Sequence, residues 1–319
     1  MSAGSGASAP ISTAVPAPVR PLFGWLAALT VVFVWSGWVV VSRFGVVQTL
    51  TIYDMLILRF AVAAVAVSPF VWRFWPRRLR WWQIALVACG QGVPYLLLAF
   101  GGFKFAPASH AGIMMNGTLP VFAAILGWVW LKDRPDRWRV AGMTVILAGC
   151  VLIGWDRGTG GVASDVWIGH LMFLAATLFV AFFMIATKAW QLTPMQTMVC
   201  IPTLNLLWFA PFYLLFLPKG IAAAPWSEIL LQGAYQGLGP SVIAVLCFTT
   251  AVRSIGTSST AAMMAMVPGM AALLAIPLLG EWPSFFAWTG LVLATGGILL
   301  AAGWRPGRGR AANAAQEIS

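Results

Sequence analysis

Pro120 to Leu152 and Pro268 to Leu300 are two copies of one segment, related by a gapless offset of 148 residues. Pro120 pairs with Pro268, Leu131 with Leu279, Asp133 with Glu281 and Pro135 with Pro283. Gly142, Gly149 and Leu152 pair with Gly290, Gly297 and Leu300. The chain must therefore accommodate the same unit twice. Each copy lies in a stretch too apolar to be the surface of a water-soluble domain.

The chain is 61% hydrophobic and 8% charged, where a soluble domain carries about 25% charged residues. A bilayer can take up that much apolar surface if the backbone satisfies its own hydrogen bonds in helices or a closed barrel. Barrel strands would alternate apolar and polar residues over about ten positions. The apolar runs here are continuous and near the roughly 20 residues of a spanning helix, so the expected class is all-α and integral to the membrane. The four cysteines, Cys89, Cys150, Cys200 and Cys247, sit inside apolar runs with no C-x-x-C or Cys/His spacing. They read as small buried hydrophobes rather than a disulfide or zinc framework. The net charge of +11 comes from basic residues that flank apolar spans. Membrane orientation accounts for it better than nucleic acid does.

Ten spans can be drawn, at about 23–43, 53–73, 82–103, 108–131, 138–155, 167–187, 194–217, 227–251, 257–279 and 285–304. Trp25, Trp72, Trp81, Trp82, Trp138, Trp155, Trp167, Trp190, Trp226 and Trp304 mark their borders, as suits an apolar ring with one N–H donor. With Arg59 set aside as intramembrane, the side that carries both termini holds 14 Lys and Arg and the other side holds 4. That bias places both termini in the cytoplasm. Residues 1–21 and 305–319 read as disordered cytoplasmic tails, 22–156 as a first five-helix repeat and 166–304 as a second. Five is odd, so the two repeats enter the membrane in opposite senses. The duplicated turn agrees: Leu131-Lys132-Asp133-Arg134-Pro135 is cationic, and Leu279-Gly280-Glu281-Trp282-Pro283 carries no cation. A duplicated, inverted membrane chain is a known architecture of secondary transporters.

Further residues carry a resemblance. Trp35-Ser36-Gly37 lies near the middle of helix 1, and small residues lead into helices 4 and 9 (Ala106-Pro107-Ala108-Ser109-His110-Ala111 and Ser258-Ser259-Thr260-Ala261-Ala262). Mid-helix Pro120 and Pro268 follow, then the acid-x-Pro turns and Gly-rich helices 5 and 10. In order and spacing these resemble the EamA-type members of the drug/metabolite transporter superfamily, over residues 22 to 304. The resemblance implies ten transmembrane helices in two inverted five-helix repeats. It also implies a central cavity lined mainly by helices 1, 3, 4, 6, 8 and 9. It further implies movement of small organic solutes, often outward, and residence in a bacterial cytoplasmic (inner) membrane.

Polar groups inside hydrocarbon are costly and so mark candidate sites. Gly112, Asn116 and Pro120 recur at i, i+4 and i+8 on one helical face, and Pro120 frees the carbonyl of Asn116. This arrangement suits a hydroxyl, amide or amine solute, or else a simple helix–helix hydrogen bond. Gln91 and Tyr95 on helix 3 match Tyr235 and Gln236 on helix 8, which points to a midplane site between the repeats. Arg59, five residues after Asp54, either binds a substrate carboxylate or snorkels and pairs locally; the second is expected. His110 and His170 are expected to be interfacial rather than proton carriers. Trp38 and Met264, the counterpart of Asn116, complete the substrate-binding set, and Pro120 and Pro268 are candidate hinges. The glycines of helices 5 and 10 form a stripe for close packing or a possible homodimer.

Apart from Asp54, no acid is expected inside a span, which disfavours cationic cargo and carboxylate-mediated proton antiport. No P-loop, metal-ligand set or nucleophile–base pair is present, so no cofactor, metal or nucleic-acid partner is expected. The function expected is ATP-independent export of a small neutral, zwitterionic or anionic metabolite. The alternatives are a membrane-embedded lipid-modifying enzyme and a non-transporting scaffold.

Overall fold

The computed structural model describes residues 21–156 and 165–302. The expected tails, apart from Pro21, lie outside the described residues, as do Arg157 and the basic residues after Ala302. All regular structure among the described residues is helical. It forms ten spans: α1 (Pro21–Val46), α2 (Ile52–Phe74), α3 (Trp81–Phe105), α4 (Ala108–Leu131), α5 (Arg137–Trp155), α6 (Val166–Ala189), α7 (Pro194–Phe216), α8 (226–255), α9 (257–279) and α10 (Phe285–Ala301). The turn from α8 to α9 is tight. Gly256 adopts φ 80° there, a left-handed value that few side chains tolerate.

Local chemistry explains where the spans begin and end. Thr51 and Asp54 form a reciprocal capping box at the head of α2, and Thr193 and Gln196 form another at α7. Asp136 caps α5 and Ser284 caps α10. Lys132 closes α4 and Gly280 closes α9, each in the left-handed conformation with the same hydrogen bonds back into the last turn. The duplicated turn is thus duplicated in its backbone. Trp72, Trp81, Trp155 and Trp226 are exposed at span ends, and Leu214, Leu215 and Phe216 project from the outer surface, where lipid would cover them.

The packing obeys the repeat. Helix α1 lies against α8 and α9, and α6 lies against their counterparts α3 and α4. Helix α2 pairs with α7, and α5 pairs with its own image α10. Exchanging the two five-helix units leaves this list unchanged, as an inverted repeat requires.

Four of the spans are interrupted, also in matched places. Helix α3 breaks at Gln91–Gly92, and α8 carries a π-helical stretch from Gly239 to Ile243, each beside a proline, Pro94 and Pro240. Helix α4 is π-helical from Gly112 to Gly117, and α9 turns at Ala265–Met266 before Pro268. Prolines explain most of this. Pro240 has no N–H for the carbonyl of Gln236, and Ser241 Oγ donates to that carbonyl instead, at 3.2 Å. The π segment carries Gly112 and Asn116, and Pro120 follows in the regular helix. The break in α3 separates Gln91 from Tyr95.

The core is lopsided. A large cluster, including Phe60, Phe100, Phe103, Phe173 and Phe209, fills the half of the bundle toward the loops near Pro107 and Glu281. The opposite half holds a small cluster around Val67, Met198 and Val199. We call these the sealed and open halves.

Candidate functional site

The polar residues divide into a cluster within the bundle and a network at its sealed end. The cluster begins with Arg59 on α2. Its guanidinium is buried and donates from Nη1 to Gln236 Oε1 on α8, at 3.2 Å. Gln236 Nε2 in turn donates to Ser42 Oγ at 3.0 Å and to Gln232 Oε1 at 3.3 Å. Gln232 Nε2 donates to the Val41 carbonyl at 2.9 Å. The phenol of Tyr95 lies within electrostatic range of Arg59. Trp38 stacks on Tyr95 with ring centroids 6.2 Å apart and packs edge-on against Phe103. Its indole N–H is buried without an acceptor. Helices α1, α2, α3 and α8 therefore meet at Trp38, Arg59, Tyr95 and Gln236.

This corrects the expectation for Arg59. It neither reaches the interface nor pairs with Asp54. Both carboxylate oxygens of Asp54 are taken, Oδ1 by the Tyr213 hydroxyl at 2.5 Å and Oδ2 by the amides of Thr51 and Gly220, each at 2.8 Å. Glu228 also falls within a span, in the first turn of α8, contrary to the expectation that Asp54 stands alone. It is buried and accepts from the Leu50 amide at 2.9 Å.

The other expected residues lie apart. Asn116 is half-buried on the π segment of α4, Gln91 is half-buried at the break in α3, and neither side chain has a hydrogen-bond partner among the described residues. Met264 is half-buried at the end of the first part of α9. No hydrogen bond or ring contact ties these three to the cluster. Tyr235 turns away from Gln236, its neighbour in sequence, and donates to the Val34 carbonyl on α1 at 3.0 Å. Gly37 leaves the space that this hydroxyl occupies. Pro120 is half-buried and Pro268 is buried in the first turn of the second part of α9.

Sequence reasoning missed Asn205 on α7. It is fully buried and repairs the break in α3: Nδ2 donates to the Ala88 carbonyl at 3.0 Å, and Oδ1 accepts from the Val93 amide at 2.9 Å. A carboxamide alone in an apolar span was the available signal. Ser36 does similar work, donating to the Val267 carbonyl at the break in α9, at 3.0 Å.

At the sealed end, Glu281 joins three elements. Its Oε1 accepts from Arg43 Nε at 2.7 Å and its Oε2 from the Ala108 amide at the head of α4, at 2.8 Å. Arg43 also donates to the Phe103 carbonyl. His110 Nδ1 and His170 Nε2 lie 2.9 Å apart, and His110 Nε2 lies 3.3 Å from Asp156 Oδ2, which also accepts from Ser284. Both histidines are buried, so the expectation that they are interfacial is corrected. Helices α4 and α6 begin from different repeats at this one spot, and Asp156 draws the imidazoles inward. At the open end the matching acid, Asp133, is exposed, 3.6 Å from Lys188 and 3.9 Å from Arg139.

Comparison with known proteins agrees with this architecture. A "Probable terminal-alkyne amino-acid exporter" of Streptantibioticus cattleyicolor is 28% identical over 282 residues, 86% of this chain and 92% of that protein. A UPF0060 membrane protein of Streptomyces coelicolor is 40% identical over 121 residues, covering all of itself but 34% of this chain. The Multidrug resistance protein EbrA of Bacillus licheniformis is 28% identical over 74 residues, 23% of this chain and 70% of that protein. One solved crystal structure superposes with a TM-score of 0.60 over 89% of this chain and 97% of its own, at 20% identity, which speaks to the fold alone. The model of the EamA-like transporter family matches twice, over residues 22–155 and 167–303. The chain belongs to the EamA-like transporter family; it is a membrane transporter of small solutes and not an enzyme.

Proposed function

We propose that the protein exports a small organic metabolite by alternating access, and that the sealed end faces away from the cytoplasm. One observation carries this reading. A fold built from two equivalent halves is closed by a large core and an ion-pair network at one end and held by exposed contacts at the other. Two such states, related by exchanging the roles of the repeats, are what alternating access requires. The matched interruptions of α3 with α8 and α4 with α9 give the backbone its bending points, and Pro120 and Pro268 serve as hinges. The excess of Lys and Arg on the open side, 14 against 4, supports this orientation. The amino-acid exporter that this chain resembles over most of its length supports outward movement. The expected cargo is neutral, zwitterionic or anionic.

The test is efflux from proteoliposomes loaded with a defined mixture of amino acids, nucleosides, sugars and organic acids, followed by mass spectrometry. Selective loss of one class relative to protein-free vesicles is expected. Equal retention of every class would refute the proposal.

A further inference from the structure

We infer that Arg59, with Tyr95, Gln236 and the indole N–H of Trp38, forms a subsite for the carboxylate of the transported solute. This rests on the transport reading above and names the chemistry of the cargo.

A guanidinium offers five N–H donors and cannot be deprotonated in a protein. Arg59 is nine-tenths buried, yet it donates a single hydrogen bond, to a neutral amide oxygen. Buried charges are normally paired, because desolvation is otherwise uncompensated. The acids nearest along its own helix and along α8 are already engaged: Asp54 by Tyr213, Thr51 and Gly220, and Glu228 by Leu50. No other acid makes an ion pair with Arg59 among the described residues. The positive charge is therefore built in, held in place by Gln236, and left without an anion.

A second observation points the same way. Trp38 Nε1 is a buried donor with no acceptor, and its ring stacks on Tyr95, whose phenol lies within electrostatic range of Arg59. Donors thus gather from α1, α2 and α3 with no anionic acceptor among them. Buried donors rarely stay unsatisfied without a functional reason. A carboxylate supplies the negative charge and the acceptor oxygens, and the guanidinium fork matches its geometry.

The depth also suits a transport site. Arg59 lies seven residues inside α2, about 10 Å from its end, and Gln236 ten residues inside α8, about 15 Å. That is near the middle of a roughly 30 Å hydrocarbon layer. An amine cargo without a carboxylate would be repelled.

The decisive variant is Gln236→Glu. It places a carboxylate beside Arg59 within the protein, so the empty protein should melt at a higher temperature while carboxylate binding is lost. A purely structural Arg59–Gln236 contact would not couple those two outcomes. Purified protein is titrated by calorimetry with the twenty L-amino acids and with acetate, lactate and benzoate, each beside its carboxamide. Wild type should bind at least one acid about 30-fold more tightly than its amide, the scale of a lost charge-assisted hydrogen bond. Gln236→Glu and Arg59→Gln should abolish that preference, and Trp38→Phe should weaken the acid about 5-fold. Should Arg59→Gln fail to fold, Gln236→Glu and Trp38→Phe still decide. The inference is overturned if no acid binds, if acid and amide bind alike, or if Gln236→Glu keeps the preference. Efflux of an uncharged solute that is indifferent to Gln236→Glu would sink the subsite and spare the transport reading. Absence of all efflux alongside acid-selective binding would do the reverse.

Discussion

Helices α5 and α10 touch through glycine, and the structure sets the cost of removing that contact. A Cβ added at Gly297 would lie 2.6 Å from Ile146 Cγ1, 2.7 Å from the Gly142 carbonyl oxygen and 2.9 Å from the Ile146 amide nitrogen. One added at Gly142 would lie 2.6 Å from both the Ala301 nitrogen and the Gly297 oxygen. Backbone atoms cannot rotate aside, so the helices must part. Restoring an ordinary contact of about 3.5 Å needs roughly 0.9 Å of separation, which forfeits a quarter to a half of the attraction along the facing seam. Overpacking of this kind costs about 1–3 kcal/mol. The gain in helix propensity from Gly to Ala offsets at most about 1 kcal/mol. Gly297→Ala should therefore destabilise the protein by about 1–2 kcal/mol. Gly296, its neighbour, has nothing within 4 Å of an added Cβ, so Gly296→Ala should be neutral or stabilising by up to about 1 kcal/mol. The assay is unfolding of purified protein in detergent by denaturant titration, both variants beside wild type. If the two agree within about 0.5 kcal/mol, the close α5–α10 seam is wrong. The stripe that sequence alone left between internal packing and a homodimer is used here within one chain.

Glu281→Gln and Arg43→Gln should couple by about 1–3 kcal/mol in a double-mutant cycle on stability, since the pair is partly buried and charge-assisted; coupling near zero would remove the ion pair from the sealed end. Lys132→Gly should stabilise the protein by about 1 kcal/mol and Gly280→Ala should destabilise it similarly, because both positions are left-handed; thermal unfolding of the two variants checks the opposite signs. Asn205→Leu leaves the Val93 amide and the Ala88 carbonyl without their partner and should cost about 2–4 kcal/mol, again read by unfolding. On a cysteine-free background, a membrane-impermeant maleimide applied to spheroplasts should label Lys219→Cys and spare Arg77→Cys; the converse pattern would reverse the proposed orientation.

The spans and their duplication were legible because hydrocarbon imposes them: each needs a certain length of apolar residues, and the offset of 148 runs through the second half of each repeat. The breaks were harder. Gly92 and Pro94 lie in an unbroken apolar run, and the residue that makes their break affordable, Asn205, lies more than a hundred positions away. Arg59 was read against Asp54, its neighbour in sequence, whereas its partner Gln236 arrives from the other repeat. His110 and His170 each look like an ordinary helix end until α4 and α6 are brought together. Asn116 shows the converse: a polar residue in an apolar span whose side chain meets no hydrogen-bond partner among the described residues. In each case the signal was a polar residue where the solvent tolerates few, and the missing part was which helix it faced.

The two acid-x-Pro turns show why one end is shut. Their backbones match through the left-handed caps at Lys132 and Gly280 and the capping residues Asp136 and Ser284. Their acids have different neighbours. Glu281 finds an arginine on α1 and the free amide at the head of α4. Under the repeat, Arg43 in the last turn of α1 corresponds to Lys188 in the last turn of α6. Asp133 has that lysine at 3.6 Å and Arg139 at 3.9 Å, but all three side chains are exposed, whereas Arg43 and Glu281 are largely buried. Exposed ion pairs contribute little and short, partly buried charge-assisted hydrogen bonds contribute more, so the contacts at the Glu281 end hold more firmly than those Asp133 makes here. The histidine–aspartate bridge adds to the same side, since His110 maps to Ser258 and the other repeat has no equivalent pair. The structure accordingly has the Glu281 end closed. In the proposed orientation the proposed subsite would load from the cytoplasmic side, as an exporter requires.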